Sequence, residues 1–136
     1  MTDVPGLDSS VPGRFGIAGH LDGGRLALVL NTQPEILVHG VVRASVLAYP
    51  VDAVAGISVD DDPDVWTLTT DLSLRMRPVP APARVTATST LIRRGRRSVT
   101  ATFAVVDDLG VSVAAGAIAF AAAPRRDGDP PKPHFP

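Results

Sequence analysis

Asp52 is the side chain on which a chemical reading of this chain turns. It is the lone carboxylate of Val38–Val59, V-H-G-V-V-R-A-S-V-L-A-Y-P-V-D-A-V-A-G-I-S-V, a stretch that is otherwise almost wholly apolar. A carboxylate among apolar neighbours loses the water that stabilises its charge, so it is either costly or useful. Ahead of it stand Gln33-Pro34 and then His39-Gly40, a pair that suits a tight approach to a helix. Far beyond it, Arg93-Arg94-Gly95-Arg96-Arg97 sets four guanidinium groups on one short turn. Their planar forks suit phosphate, and they equally suit a solvated hairpin tip that discourages edge association.

Other chemistries are poorly served. The chain has no cysteine, which excludes disulfides, thiolate metal sites and a cysteine nucleophile, and fits a cytoplasmic setting. There is no G-x-S-x-G, and His20, His39 and His134 lie far apart in the sequence, so a serine triad is not expected. No histidine or carboxylate pair has metal-ligand spacing, and Asp60-Asp61-Asp62-Pro63-Asp64 lacks the alternation of a calcium loop. It reads instead as a solvated acidic turn. The net charge of -1 and the absence of aromatics among the arginines argue against nucleic acid. No run reaches the ~20 apolar residues of a membrane span. The first residues, M-T-D-V-P-G-L-D, lack the basic and apolar regions of a signal peptide. We expect no metal, no tightly bound cofactor and no membrane partner.

The elements that must position these groups follow from periodicity. With 136 residues one domain is expected. Residues 1–13 read as a flexible lead, 14–123 as the domain, and 124–136, rich in proline and charge, as an extended tail. Arg14–Gly19 and Arg25–Asn31 read as strands joined by a turn at His20–Gly24. Val38–Val59 is rich in valine, yet it is too long for a strand and carries several alanines, so it predicts a helix kinked by Pro50. Val65–Arg77 alternates strictly. The pattern puts Trp66, Leu68, Leu72, Leu74 and Met76 on one face, with Thr69 on the other. Arg84–Ile92, Ser98–Val106 and Val111–Ala122 follow as strands around two tight turns. One helix among many strands has to be wrapped by them, because a lone sheet needs something to cover its apolar face. The expectation is an α+β fold, one long central helix held by a curved antiparallel sheet of five to six strands.

Taken in order, these pieces resemble the hotdog-fold acyl-CoA thioesterases, in particular those of the phenylacetate-degradation type. The resemblance spans about Arg14 to Ala123. It rests on Gln33-Pro34 six positions before His39-Gly40, on Asp52-Ala53-Val54-Ala55-Gly56, on Asp71–Pro78 ending in R-P, and on the Arg93–Arg97 turn. Two departures stand out. Val41 occupies the place of a second glycine. The family's acid follows the histidine by nine positions, which here is Ala48. Asp52 lies one helical turn beyond it, on nearly the same face.

The resemblance implies an obligate dimer, or a tetramer built from dimers, with two sites at the subunit interface. It further implies hydrolysis of an acyl-CoA thioester. Asp52 is then general base or nucleophile, and the amides of Gly40 and Val41 at a helix N-terminus, with Gln33, hold the thioester oxygen. Thr69 is a candidate hydroxyl near the water. His39 and the arginines Arg93, Arg94, Arg96 and Arg97 are candidate substrate contacts. The bland readings stay beside these. Asp52 could face solvent or pair with Arg43, Gln33 could be a loop corner, and His39 a structural contact. The alternative function is a hotdog domain that binds acyl groups or acyl-CoA without turning them over. A hydratase is less apt, since no aspartate follows His39 within a few positions.

Overall fold

Valine and alanine dominate the central segment, and their burial outweighs the strand preference of valine. The computed structural model describes residues 16–60, 62, 64–77, 80 and 82–129. In it helix α1, Ala44–Val59, buries Val46, Leu47, Pro50, Val51, Val54, Ala55 and Val59. A helix so broadly apolar is stable only when surrounded. The surround is one six-stranded sheet in the order β1-β2-β6-β7-β8-β5. The strands are β1 (Ile17–Asp22), β2 (Arg25–Asn31), β5 (Val65–Met76), β6 (Arg84–Arg94), β7 (Ser98–Val106) and β8 (Ser112–Pro124), all paired antiparallel. Two short strands, β3 (Leu37–Val38) and β4 (Val41–Val42), form a separate hairpin before the helix.

The long helix therefore begins at Ala44, later than the expected Val38. The intervening residues His39 and Gly40 have φ of 51° and 76°. Two successive left-handed residues between two paired strands make a tight hairpin turn, which an α-helix cannot incorporate. Arg43 then caps the helix without a side-chain bond, its own N–H donating to the Ile36 carbonyl at 2.9 Å.

Strand β5 departs from the expected strict alternation. Its register against β8 shifts between Thr69 and Asp71, leaving Thr70 as the extra residue of a bulge. Thr69 pairs with Phe120 and Leu72 with Ile118, both buried partners, so both face the helix. Trp66 and Leu68 pair with Ala123 and Ala121 on the opposite, outer face. A bulge inserts one residue and so reverses which parity points inward. The expected single face of Trp66, Leu68, Leu72, Leu74 and Met76 is thus split in two at Thr70. A second bulge lies in β6 between Ser89 and Leu91.

The core is tightest where β7, β8 and β5 meet. Phe103 is 2% exposed and pairs with Gly116, which in turn pairs with Leu74. A Cβ placed on Gly116 would lie 1.8 Å from the Ser73 carbonyl oxygen and 2.8 Å from the Phe103 ring. Backbone cannot yield as a flexible side chain can. Gly116→Ala is expected to cost about 3 kcal/mol or more through overpacking. That lowers the melting temperature by roughly 6–12 °C for a domain of this size, measurable by thermal denaturation. An unchanged melting temperature would show that the strands can separate here at little cost.

Candidate active site

The bulge at Thr70 has one direct chemical consequence. It turns Thr69 inward, and the Thr69 hydroxyl donates to Asp52 Oδ1 at 2.6 Å. Sequence alternation alone had placed Thr69 on the same face as Asp71, away from Leu72. Asp52 is half-buried on α1. Among the described residues it makes no ion pair, and Arg43 does not reach it. Thr70 itself bonds the Ala119 carbonyl at 3.2 Å, holding the bulge against β8.

The remaining candidates occupy three separate places. Gln33 caps a short 3-10 turn, Pro34–Ile36, and is exposed. Its carboxamide nitrogen lies 3.5 Å from where a side chain on Gly16 would begin, so it rests over the start of β1. His39 and Gly40 form the β3–β4 turn, exposed, with open space where a Cβ on Gly40 would stand. Val41 pairs with Val38 across that turn. Their amides therefore belong to a hairpin, whereas the helix's own leading amides are those of Ala44 and Ser45. The first intrahelical donors are Val46 and Leu47, which bond the Arg43 carbonyl at 3.1 and 3.2 Å. From Ala44 to Asp52 the helix rises about 12 Å.

The four arginines do not act as one group. The β6 bulge turns Ile92 and Arg94 toward the helix side of the sheet, opposite Ala101 and Val99, and leaves Leu91 and Arg93 on the outer face. Arg94 Nη1 donates to the Val59 carbonyl at 3.0 Å, satisfying an acceptor at the end of α1 where the helix dipole favours a cation. Arg93, Arg96 and Arg97 are exposed. The role of Arg94 was not readable in advance, since it depends on a register shift. The only local signals were the hydroxyl pairs Thr69-Thr70 and Ser89-Thr90 at the two bulges. Among the described residues no group of three histidine, cysteine or carboxylate side chains converges, and no helix is long and apolar enough to cross a membrane.

Arg94→Gln is expected to destabilise the domain by about 1 kcal/mol through loss of a charge-assisted bond to the helix terminus. Arg96→Gln, altering an exposed tip, should leave the melting temperature within about 1 °C. Equal melting temperatures for the two variants would remove the capping role.

Neither a known family profile nor a curated protein sequence matches this chain. Its architecture does match solved structures. BH2602 from Bacillus halodurans, crystallised with CoA, superposes with a TM-score of 0.77 over 87% of this chain and 81% of its own, at 20% identity. The thioesterase HI1161 from Haemophilus influenzae gives 0.78 over 90% of each chain at 15% identity. The thioesterase SAV0944 from Staphylococcus aureus, in a glutamine-to-alanine mutant, gives 0.73 over 85% of this chain and all of its own, at 14% identity. One helix held by a six-stranded antiparallel sheet in this order is the hotdog fold, the fold of these thioesterases.

Proposed function

We propose that the chain is an acyl-CoA thioesterase whose site is completed by a second copy of itself, with Asp52 as general base or nucleophile. The Thr69–Asp52 contact carries this reading. It holds a carboxylate that has no cationic partner among the described residues, on the helix of a fold that is used by thioesterases, beside an edge strand. In the general-base form, Asp52 takes a proton from water as the water oxygen attacks the thioester carbonyl. The carbon–sulfur bond then breaks, and the thiolate leaves with that proton. The Thr69 hydroxyl occupies one carboxylate oxygen, which orients the other.

The oxygen that develops charge needs donors. The amides of Gly40 and Val41 and the carboxamide of Gln33 are the groups we assign to it, presented by a hairpin turn in place of a helix N-terminus. Since α1 begins about 12 Å from Asp52, and the turn precedes that beginning, acid and donors of one chain are badly placed to share one carbonyl. A two-fold copy brings the turn of one protomer to the acid of the other. Strand β5 is suited to that copy. It is a 12-residue edge strand, and antiparallel pairing of an edge with itself is a closed, two-fold contact. His39 then borders the bound acyl-CoA, and Arg93, Arg96 and Arg97 are left to meet its phosphates, Arg94 being committed to the helix.

A specific observation favours the second reading, acyl or acyl-CoA binding without turnover. Mutants of SAV0944 have been crystallised with a glutamine and, separately, a glutamate replaced by alanine. The spacing between those two residues, counted on from Gln33, lands on Ala48. Ala48 and Asp52 are one helical turn apart on the same face.

Free thiol released from a panel of short, long and aromatic acyl-CoA esters separates the two. Asp52→Asn is expected to lower kcat by about 100-fold or more. Thr69→Val should lower it about tenfold, the equivalent of one well-placed hydrogen bond. Adding Ala48→Glu to Asp52→Asn should restore part of the loss. No thiol from any ester, with acyl-CoA still bound, would establish the binding reading in its place. Turnover that is the same in Asp52→Asn and in the parent would remove Asp52 from the mechanism.

A further inference from the structure

We propose that the outer face of the sheet, turned away from α1, is an interaction surface for a second copy of this chain. Strand β8 is where the need for cover shows. From Val113 to Ala123 it holds no polar side chain. Ile118 and Phe120 point into the core, while Ala115, Ala117, Ala119 and Ala121 point out. A sheet with one wet face alternates apolar and polar residues, whereas a strand buried on both faces reads as a continuous apolar run. Alanine is also a weak strand former, so its own backbone preference does not account for the run.

The neighbouring strands continue the pattern. Their register sets the outer face out in rows across β6, β7, β8 and β5. One row is Leu91, Thr102, Ala117 and Ser73. On one side of it lie Thr100, Ala119 and Asp71, and on the other Ala104, Ala115 and Arg75. The small side chains keep the middle flat, and Leu91 and Leu68 stand on this face 51% and 53% exposed. Four strands by five outward rows make about 650 Å² of face per copy, or about 1,300 Å² in a pair, which is within the range of specific interfaces.

The charges choose the partner. Asp71 and Arg75 stand two residues either side of Ser73 on the outer face of β5. They are about 13 Å apart along the strand, too far to meet within one copy. Among the described residues neither makes an ion pair. A two-fold axis along the Leu91–Ser73 row reverses the strand direction in the second copy. It sets Asp71 over Arg75 of the second copy, and Arg75 over its Asp71. Leu91 and Ala117, on the axis, each meet their own equivalent. The contact is closed and self-complementary, with aligned sheets packed face to face. Its axis lies in the plane of the sheet, perpendicular to that of an edge-to-edge pairing of β5, so the two contacts can coexist in one closed assembly. No catalytic step is involved.

Sedimentation velocity on the full chain gives the test. Ala117→Arg puts a charge on the axis of the contact without entering the core, and is expected to halve the mass of the particle. A parent tetramer falls to a dimer and a parent dimer to a monomer, so an edge contact through β5 is read separately. Asp71→Arg is expected to weaken the association about tenfold or more by setting like charges opposite each other. Adding Arg75→Asp to Asp71→Arg restores the opposite charges and the association. The chain has no cysteine, so Leu91→Cys provides a single thiol, which a short bis-maleimide should join to its equivalent in the second copy. The same mass in Ala117→Arg and in the parent overturns the proposal. So does a double variant that associates no more tightly than Asp71→Arg alone, or the absence of a crosslinked pair through position 91.

Discussion

A strand can set only every second side chain against a helix, and β5 has to do so twice with different content. Its later half offers Leu72, Leu74 and Met76 to the core. Its earlier half, kept in phase, would send Trp66 and Leu68 inward and Thr69 out. The bulge at Thr70 breaks the phase, so the hydrophobic half stays buried while the earlier half turns a hydroxyl toward α1. One unpaired residue thereby meets two demands, packing for the core and a partner for Asp52. Bulges are common beside active sites because they re-aim side chains in this way.

The helix sits under a related constraint. Being apolar around most of its girth, it has little polar surface of its own, and the sheet has to supply contacts for its ends. At the C-terminal end the sheet does so through Arg94, turned inward by the second bulge. At the N-terminal end a hairpin takes over, with the Arg43 N–H bonded back to Ile36. The left-handed conformation of His39 belongs to that hairpin. A non-glycine residue there costs energy that the surrounding structure must offset, and such positions cluster where backbone is shaped for a ligand. Asp52 lies between these two ends, and among the described residues its hydrogen-bond partner is Thr69, on the edge strand β5.

Fold and chemistry separate cleanly in this chain. The sheet order and single helix are those of the hotdog thioesterases, at identities of 20% and below. A shared fold at that distance speaks to packing and leaves the reaction to the site. On the proposed assignment, the displacement of the acid from Ala48 to Asp52 is where the two part. One turn of helix moves a carboxylate by ~6 Å along the axis while preserving its face. The site can therefore keep the same kind of group while changing which part of a bound thioester that group meets.

Much of the architecture was legible in the residues themselves. The later strand ranges, the central helix despite its valines, and the enclosing antiparallel sheet follow from periodicity, turn residues and the need to cover apolar surface; the first strand differs, running Ile17–Asp22 through His20–Asp22, which the residues had suggested as turn, because those three pair with Arg25–Ala27. These are local signals, repeated along each element. What the residues alone left undecided is every feature that depends on pairing. Val65–Met76 carries no mark of joining β8 in preference to β6, because both partners offer alternating apolar faces. The bulges at Thr70 and Thr90 left no more than a pair of hydroxyl residues each as a local mark, since a bulge is a relation between two strands and neither strand encodes it by itself. For the same reason Arg94 read as one of four equivalent charges and Thr69 as a residue on the wrong face. The start of α1 was misplaced because His39-Gly40 suits a hairpin turn and a helix approach equally, and only the pairing of β3 with β4 chooses between them. Local sequence determined which segments are strand or helix and which residue types they carry. Tertiary register decided which of those side chains meet.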